Sequence, residues 1–266
     1  MQATNGNFYG TTELGGVGYG TVFEIISSSK GFTFKPLHSF DAATDGGYPF
    51  GTLVQATNGD LYGTASVGGT SGAGTVFKIT PGGVFEVFGN LDYTDGADPI
   101  GGLVQAADGN FYGTASGGGG ENVGTVFEIT SGGTLTMLYS FCSVTNCTDG
   151  NGPHAGLVQA TDGNFYGTTY AGGTPGEGTV FSLSKGLGPF VETHPTSGKV
   201  GAKVRILGTD LTGATSVTFN GTAATFTVVS KSEITTTVPT GATTGKVKVV
   251  TPSRTLSSNV PFRVTK

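Results

Sequence analysis

The sequence has little charge and few of the residue types that form catalytic or metal-binding clusters. Of its 266 residues only 12% are charged, three are histidine, two are cysteine, and tryptophan is absent. The 13 lysines and arginines form no run and the formal net charge is −5, so the counterion release that drives nucleic-acid binding has little to act on. No apolar stretch approaches the roughly 18 to 20 residues that a membrane-spanning helix needs. We therefore expect neither a nucleic-acid partner nor a transmembrane segment.

Signatures of common active sites are also missing. No G-x-S-x-G elbow occurs, no pattern indicates a helix that would carry one, and no glycine-rich phosphate loop leads from a strand into a helix. The histidines His38, His154 and His194 share no metal-ligand spacing. The sequence therefore indicates no hydrolase triad, no nucleotide site and no resident cofactor.

Glycine is the residue that the chain has in excess. It supplies 49 positions, but without the three-residue period of collagen. The 18 phenylalanines and 9 tyrosines argue against a disordered chain, because they give it enough apolar surface to fold. The length is sufficient for two domains.

One fifteen-residue pattern occurs four times in the sequence. The copies start about 50 residues apart, which is the length of one supersecondary unit. They read "QATNGNFYGTTELGG" from Gln2, "QATNGDLYGTASVGG" from Gln55, "QAADGNFYGTASGGG" from Gln105 and "QATDGNFYGTTYAGG" from Gln159. The repeat therefore determines the fold of this part of the chain.

Each repeat predicts four short strands, labelled A to D. In the third repeat, strands A (Gly101–Ala107) and B (Asn110–Ser116) meet through Asp108-Gly109, a pair suited to a two-residue hairpin. Strands C (Thr125–Thr130) and D (Thr134–Phe141) follow. Four antiparallel strands per repeat and no helical periodicity predict β-propeller blades, and a solenoid is the weaker alternative.

The pattern "GLVQATDGNFYGTT…GG…GTVF" resembles the GloVer tandem repeat of bacterial surface proteins, and the match runs over nearly all of residues 1–186. It is also similar in layout to kelch blades. The repeats are Gln2–Phe50, Gly51–Ile100, Gly101–Ala155 and a fourth from Gly156 that ends after Ser184 without an obvious strand D. The first repeat lacks most of strand A, so the chain is expected to be a mature fragment. Four blades close one small ring, whereas two chains pool their blades into an eight-bladed one, so a homodimer through open edges is an alternative.

A change of composition marks a second domain, which we place at residues 187–266. Alternating Thr and Val residues with turns at short intervals predict an Ig-like sandwich. The segment resembles the IPT/TIG family through Pro195, Gly198, "ILGTDL", "VTFNG", "ITTTVP" and a closing "FRV". This resemblance implies a spacer or an interaction module.

Two cysteines indicate the compartment. Cys142 and Cys147 lie in "FCSVTNCTDG", an insertion between strand D of the third repeat and strand A of the fourth. A disulfide there is worth roughly 2 kcal/mol by loop entropy; free thiols and a metal site with His154 are the alternatives. A disulfide predicts an extracellular or cell-surface location.

The variable loops are the predicted binding surface. Propeller topology places the B–C and D–A loops on one face, and these loops differ between repeats more than the other turns do. The motif T-D-G-x-x-P brings Asp45, Asp95 and Asp149 to this face. They are either a ring that binds a cation such as calcium or sugar hydroxyls, or turn residues that need no ligand.

Other polar and aromatic residues complete the candidate site. Glu13, Glu121 and Glu177 lie in three of the four B–C loops, and either Glu121 or Glu177 with Asp149 is the carboxylate pair that a glycoside hydrolase would use. Solvated loop charge is the alternative interpretation. Aromatic rings on the same face are available to stack on sugars, namely Tyr19, Tyr48, Tyr93 and Tyr170.

The sequence thus predicts an all-β protein, with a β-propeller of about four four-stranded repeats followed by an Ig-like β-sandwich. The expected function is carbohydrate binding outside the cell through the B–C and D–A loops. The alternatives are a glycoside hydrolase that uses carboxylates of that face and a structural adhesion scaffold.

Overall fold

The computed structural model describes residues 1–29, 31–174 and 176–266. The chain forms two compact units. The first contains Met1–Val158 and Tyr166–Ser182, and the second contains Gln159–Phe165 and Leu183–Lys266. In the described residues the only helix is a single 3₁₀ turn at Thr145–Cys147, so the all-β prediction is confirmed.

Each repeat forms one antiparallel sheet whose strands follow chain order. We number these sheets 1 to 4. Sheet 1 contains β1 (Phe8–Thr12), β2 (Thr21–Ser28) and β3 (Gly31–Ser39); sheet 2 contains β4 (Val54–Gln55), β5 (Leu61–Ala65), β6 (Thr75–Ile79) and β7 (Phe85–Asn90); sheet 3 contains β8 (Val104–Gln105), β9 (Phe111–Ala115), β10 (Thr125–Ile129) and β11 (Leu135–Ser140); sheet 4 contains β12 (Val158–Gln159), β13 (Phe165–Thr168) and β14 (Val180–Leu183).

The predicted strand order is confirmed, but the strands are shorter than the sequence pattern indicates. In the third repeat, strand A covers two residues rather than Gly101–Ala107, because Gly101 and Gly102 approach neighbouring backbone instead of pairing in the ladder. In the first repeat the place of strand A is taken by a single bridge between Gln2 and Phe8. Sheet 4 has three strands, in agreement with the missing strand D.

A glycine–phenylalanine pair fixes the core of each repeat sheet. Gly113 of β9 lies opposite Phe127 of β10, and a Cβ added at Gly113 would lie 2.6 Å from the Phe127 ring. Gly63 and Phe77 repeat this arrangement in sheet 2. The "YGT" and "GTVF" motifs thus recur together because the glycine leaves the space that the ring fills.

Apolar clusters join consecutive sheets. One cluster combines Tyr9 and Val22 of sheet 1 with Leu61, Phe77 and Ile79 of sheet 2. A second combines Tyr62 and Val76 of sheet 2 with Phe111, Phe127 and Ile129 of sheet 3. The described residues do not close these sheets into a ring.

The second compact unit is an Ig-like sandwich. Its sheets have the orders β15-β17-β21-β20 and β19-β18-β22-β23, and β16 pairs with β24 in parallel. A single core lies between them, with Ile206 and Ile234 from one sheet and Phe219 and Val249 from the other. The strands are β15 (Val191–His194), β16 (Ser197–Lys199), β17 (Lys203–Gly208), β18 (Ser216–Phe219), β19 (Thr222–Ala223), β20 (Phe226–Ser230), β21 (Glu233–Thr237), β22 (Val247–Val250), β23 (Thr255–Ser257) and β24 (Arg263–Thr265).

Candidate functional site

The B–C and D–A loops form one connected surface, which we call the loop face. It contains the B–C loops 13–20, 66–74, 116–124, 170–174 with 176–178, and the D–A loops 40–50, 91–100 and 141–155. Each D–A loop bonds through its backbone to the B–C loop of its own repeat, with Tyr48 donating to Tyr19, Asp98 to Ala73 and Gly152 to Val123. Bridges to the next repeat follow at Gly47–Val67, Ala97–Gly117 and Asn151–Ala171. The loops are therefore held in fixed relative positions.

A left-handed residue before proline shapes each D–A loop. Tyr48 and Asp98 have φ angles of 53° and 52°, a conformation that non-glycine residues adopt only when the surroundings enforce it. The following Pro99 packs on Gly74, where an added Cβ would lie 2.6 Å from the proline Cδ. The same packing on proline occurs at Gly20 and Gly124, whereas Gly178, which ends the fourth B–C loop, lies instead against the carbonyl of Thr169.

The three T-D-G-x-x-P aspartates have turn contacts within their own loops. The Oδ1 of Asp45 accepts from the Asp41 N–H at 2.8 Å, and the Oδ1 of Asp95 accepts from the Asp92 N–H at 2.9 Å. Their backbone carbonyls accept from threonine hydroxyls of the next repeat, Thr75 for Asp45 and Thr125 for Asp95. These contacts fit the turn interpretation, and no group of three metal-ligating side chains occurs among the described residues.

Asp149 is the most strongly bonded of these carboxylates. Its Oδ2 accepts from the Tyr139 hydroxyl at 2.7 Å and from both the N–H and the hydroxyl of Ser143. Burial alone would raise the pKa of Asp149, but the hydrogen bonds from Tyr139 and Ser143 outweigh burial and lower it. The Asp149 carboxylate is therefore ionised, and Oδ2 already accepts hydrogen bonds from neighbouring residues of the same repeat.

The predicted disulfide is present between Cys142 and Cys147. It closes a small loop that includes the 3₁₀ turn and begins beside Ser143. The crosslink therefore restrains the segment that supplies the donors to Asp149, with a loop-entropy contribution of roughly 2 kcal/mol.

The three glutamates occupy different positions in their B–C loops. The B–C loops share one hydrogen bond, from the N–H of the last glycine to the carbonyl of an early one, which aligns them. On that alignment Glu177 directly precedes the last glycine, Glu121 lies three residues before it, and Glu13 precedes the first glycine by two. All three side chains are exposed and have no hydrogen bond or ion pair with another described residue.

The structure brings the aromatic residues of the loop face into pairs. His154 and Tyr170 stack with ring centroids 5.1 Å apart and planes 13° from parallel. Tyr170 is 74% exposed, so one broad apolar surface faces solvent. Tyr19 and Tyr48 form a second, tilted pair at 5.6 Å, and Tyr93 is 58% exposed. The Oδ2 of Asp45 lies 2.8 Å from the Nε2 of His38, so this carboxylate is also occupied within its own repeat.

Sequence reasoning missed a buried carboxylate network at the A–B turns. Glu128 of β10 is 7% exposed and accepts from the Asn110 amide and the Tyr112 hydroxyl. Glu24 of β2 accepts from Asn7 and Tyr9 in the same way. Burial, together with the hydrogen bonds to Asp108 and Glu128, raises the pKa of Tyr112.

A signal for this network is present in the sequence. Where the other repeats have asparagine, the second has Asp60, and where the first and third have Glu24 and Glu128, it has Lys78. The two changes are of opposite sign and place a carboxylate near a lysine, as expected for neighbouring side chains. The network lies within the sheets and supports their packing rather than a site.

The second compact unit contains a shallow groove of about 680 Å³ on the outer side of β17, β20 and β21. His194, Lys203 and Arg205 lie along it with a row of threonines. Arg205 donates to both carboxylate oxygens of Glu233, at 2.7 and 3.1 Å, so its positive charge is paired.

Known protein families match both parts of the chain. A model described as the Gloeobacter/Verrucomicrobia repeat matches residues 1–148, and the IPT/TIG domain matches residues 190–264. No curated protein matches the chain in sequence. Among solved structures, a candidate 6-phosphogluconolactonase from Bacteroides uniformis is 14% identical with a TM-score of 0.35, and the alignment covers 95% of this chain and 80% of that one.

Repeats and IPT/TIG domains of these kinds are typical of cell-surface modules. In the described residues, no helix has the length and apolar character to cross a membrane. The repeat match covers more than half of the sequence, and the sandwich core accounts for the second match. The chain belongs to the Gloeobacter/Verrucomicrobia repeat family and carries an IPT/TIG domain after its repeats.

Proposed function

We propose that this chain is an extracellular carbohydrate-binding module in which residues 1–186 are an open arc of propeller blades and residues 187–266 are an Ig-like spacer. Four consecutive sheets whose strands follow chain order, two of them with all four strands A to D, support the blade arrangement. So do the apolar clusters that join sheet 1 to sheet 2 and sheet 2 to sheet 3. The disulfide supports an oxidising location.

The observation that carries the proposal is the stacked pair of His154 and Tyr170. Two rings within 13° of parallel, one of them 74% exposed, present a flat apolar surface on the loop face. Apolar platforms flanked by a few polar groups are typical of ligand sites, and aromatic rings combine apolar area with low conformational-entropy cost. The apolar face of a sugar ring fits such a platform, while Glu121 and Glu177 supply acceptors for hydroxyl groups.

The hydrolase alternative has less support. It needs a general acid and a second carboxylate that face one cleft. Glu121 and Glu177 are exposed, and the Asp149 carboxylate is engaged by Tyr139 and Ser143. Calcium binding at Asp45, Asp95 and Asp149 would require these carboxylates to exchange their turn contacts for the ion.

Affinity electrophoresis in gels that contain soluble polysaccharides tests this proposal. We expect the chain to be retarded by at least one polysaccharide, and Tyr170→Ala to weaken that retardation about tenfold or more because the platform loses its exposed ring; tenfold corresponds to about 1.4 kcal/mol. The matched control is Phe32→Ala, which removes a ring that is 73% exposed. Phe32 lies near the start of β3, at the end of sheet 1 that is away from the loop face.

Three outcomes separate the alternatives. Equal retardation of the wild type and Tyr170→Ala would contradict the platform. Turnover of chromogenic glycosides that is lost in Glu121→Gln or Glu177→Gln would make the chain an enzyme. No retardation and no turnover would leave the structural scaffold.

A further inference from the structure

The repeat sheets pack through two faces of different composition. We call the side that carries Leu61, Phe77 and Ile79 in sheet 2 the front face, and the side that carries Tyr62 and Val76 the back face; cross-strand pairing of Leu61 with Ile79 confirms that the former share one side. The back face of sheet 2 meets the front face of sheet 3, where the Tyr62 and Phe111 rings lie 4.2 Å apart. Sheets 1 and 2 pack back to front in the same way.

The front face of sheet 1 has the composition of an internal front face but is exposed. Phe8, Ile25 and Phe34 lie opposite one another on its three strands. Phe8 is 39% exposed and Phe34 60% exposed, whereas Leu61 and Phe111, at the position of Phe8, are 0% and 1% exposed.

The back face of sheet 4 is also exposed, although the back faces of sheets 2 and 3 are buried. Val180 is 81% exposed, whereas Val76 and Val126 at the same position are 0% exposed. Tyr166 is 38% exposed, and its counterpart Tyr112 is 0% exposed. The first compact unit therefore ends in one exposed front face and one exposed back face, the same two surfaces that pack together twice within the chain.

A side-chain contact between repeats points to the same junction. The Oε1 of Gln55 accepts from the Thr4 N–H of the preceding repeat at 2.8 Å, and Gln105 accepts from Thr57 at 2.9 Å. Gln2 occupies this position in the first repeat. Its Nε2 donates to the Gly6 carbonyl of its own A–B turn, as the Nε2 of Gln55 donates to the Gly59 carbonyl. Within the described part of the chain, the Oε1 of Gln2 has no donor, so a preceding repeat sheet would complete it.

We propose that the back face of sheet 4 of one copy packs on the front face of sheet 1 of a second copy, head to tail. A second copy fits because it supplies the residue types that already form both internal junctions, at the same strand positions. The contact is heterologous, so each chain uses both faces and two chains satisfy all four in a closed pair. Such pairing covers the exposed apolar faces that otherwise favour uncontrolled association.

Light scattering coupled to size-exclusion chromatography across the micromolar range tests the proposal. The wild-type chain should elute at twice its 26.7 kDa mass, and Val180→Asp should elute at 26.7 kDa. Val180 is largely exposed, so the substitution leaves the fold intact. The matched control is Val84→Asp, which changes another valine, 70% exposed in a turn of the second repeat, and should remain dimeric.

Mixing two variants identifies the pairing mode. Phe34→Asp blocks the front face and Val180→Asp blocks the back face, so each alone should be monomeric while an equimolar mixture regains one intact contact and forms a two-chain species. A monomeric wild type, a dimeric Val180→Asp or a mixture that stays monomeric would each overturn head-to-tail pairing. None of these readouts depends on carbohydrate.

Discussion

At the residue scale, Asp95 and Asp149 show that one motif position has different properties in different repeats. Burial, followed by the nearby Asp92 carboxylate, raises the pKa of Asp95, although a hydrogen bond from the Asp92 N–H opposes this change. At Asp149 the donors from Tyr139 and Ser143 outweigh burial and lower the pKa. Two donors account for the difference: Tyr139 of β11, where the second repeat has Gly89, and Ser143, which the insertion adds to the third D–A loop.

These directions predict opposite effects of neutralisation. Because the folded pKa of Asp95 lies above its ordinary value, the folded state retains a proton that the unfolded state has released, and stability falls as pH rises through that window. Asp95→Asn retains an acceptor for the Asp92 N–H but cannot ionise. We expect it to raise the urea midpoint at pH 7 and to match the wild type below the ordinary aspartate pKa.

Asp149→Asn is the control for this measurement. Because the pKa of Asp149 is lowered in the folded state, its carboxylate stabilises the fold at pH values above the ordinary aspartate pKa. This stability is lost as the pH falls through the folded pKa. Its substitution should therefore lower the urea midpoint at pH 7. A lower midpoint for Asp95→Asn at pH 7 would contradict the burial argument.

At the scale of the strand, the glycine opposite phenylalanine is the main determinant of the repeat sheet. A Cβ at Gly113 would lie 2.6 Å from Phe127 and 2.8 Å from Leu103, so alanine overpacks the core. We expect Gly113→Ala to lower the free energy of unfolding by about 1–3 kcal/mol. Gly132→Ala, whose added Cβ meets only Thr130 at 3.8 Å, should change it by less than about 0.5 kcal/mol in the same urea titration. Equal effects would show that the ring does not require the glycine.

Strands were predictable from the sequence because their signals are local. The turn residues around Asp108-Gly109 and the period-two pattern around Phe127 specify the sheet, and the structure confirms the strand order. The predicted two-residue hairpin is wrong: Ala106 pairs with Asn110, so the loop has three residues and only Gly109 has a positive φ, of 89°. The candidate site was less predictable, because it depends on contacts between loops. The stacking of His154 on Tyr170 joins two repeats, and the buried Glu128 network required a comparison between repeats rather than a motif within one.

At the scale of the whole molecule, the sequence identified two terminal repeats that lack a strand but left ring closure undecided. Closure depends on whether the front face of sheet 1 reaches a back face, and this is determined by the packing of whole sheets. The exposure of Phe34 and Val180 shows that the described residues of one chain leave both faces uncovered. If a second copy covers these faces, as proposed above, assembly depends on protein concentration.

Head-to-tail pairing predicts that thermal stability depends on concentration. A partner that binds only the folded state stabilises it by mass action. Above the dissociation constant, each tenfold rise in protein concentration adds about 1.4 kcal/mol per mole of dimer, which is about 0.7 kcal/mol per chain. The melting temperature of the wild type should therefore rise by a few degrees per tenfold increase in concentration, measured by scanning calorimetry. Val180→Asp should melt at one temperature at every concentration, whereas Val84→Asp should follow the wild type. A wild-type melting temperature that does not change with concentration would show that no second copy covers these faces.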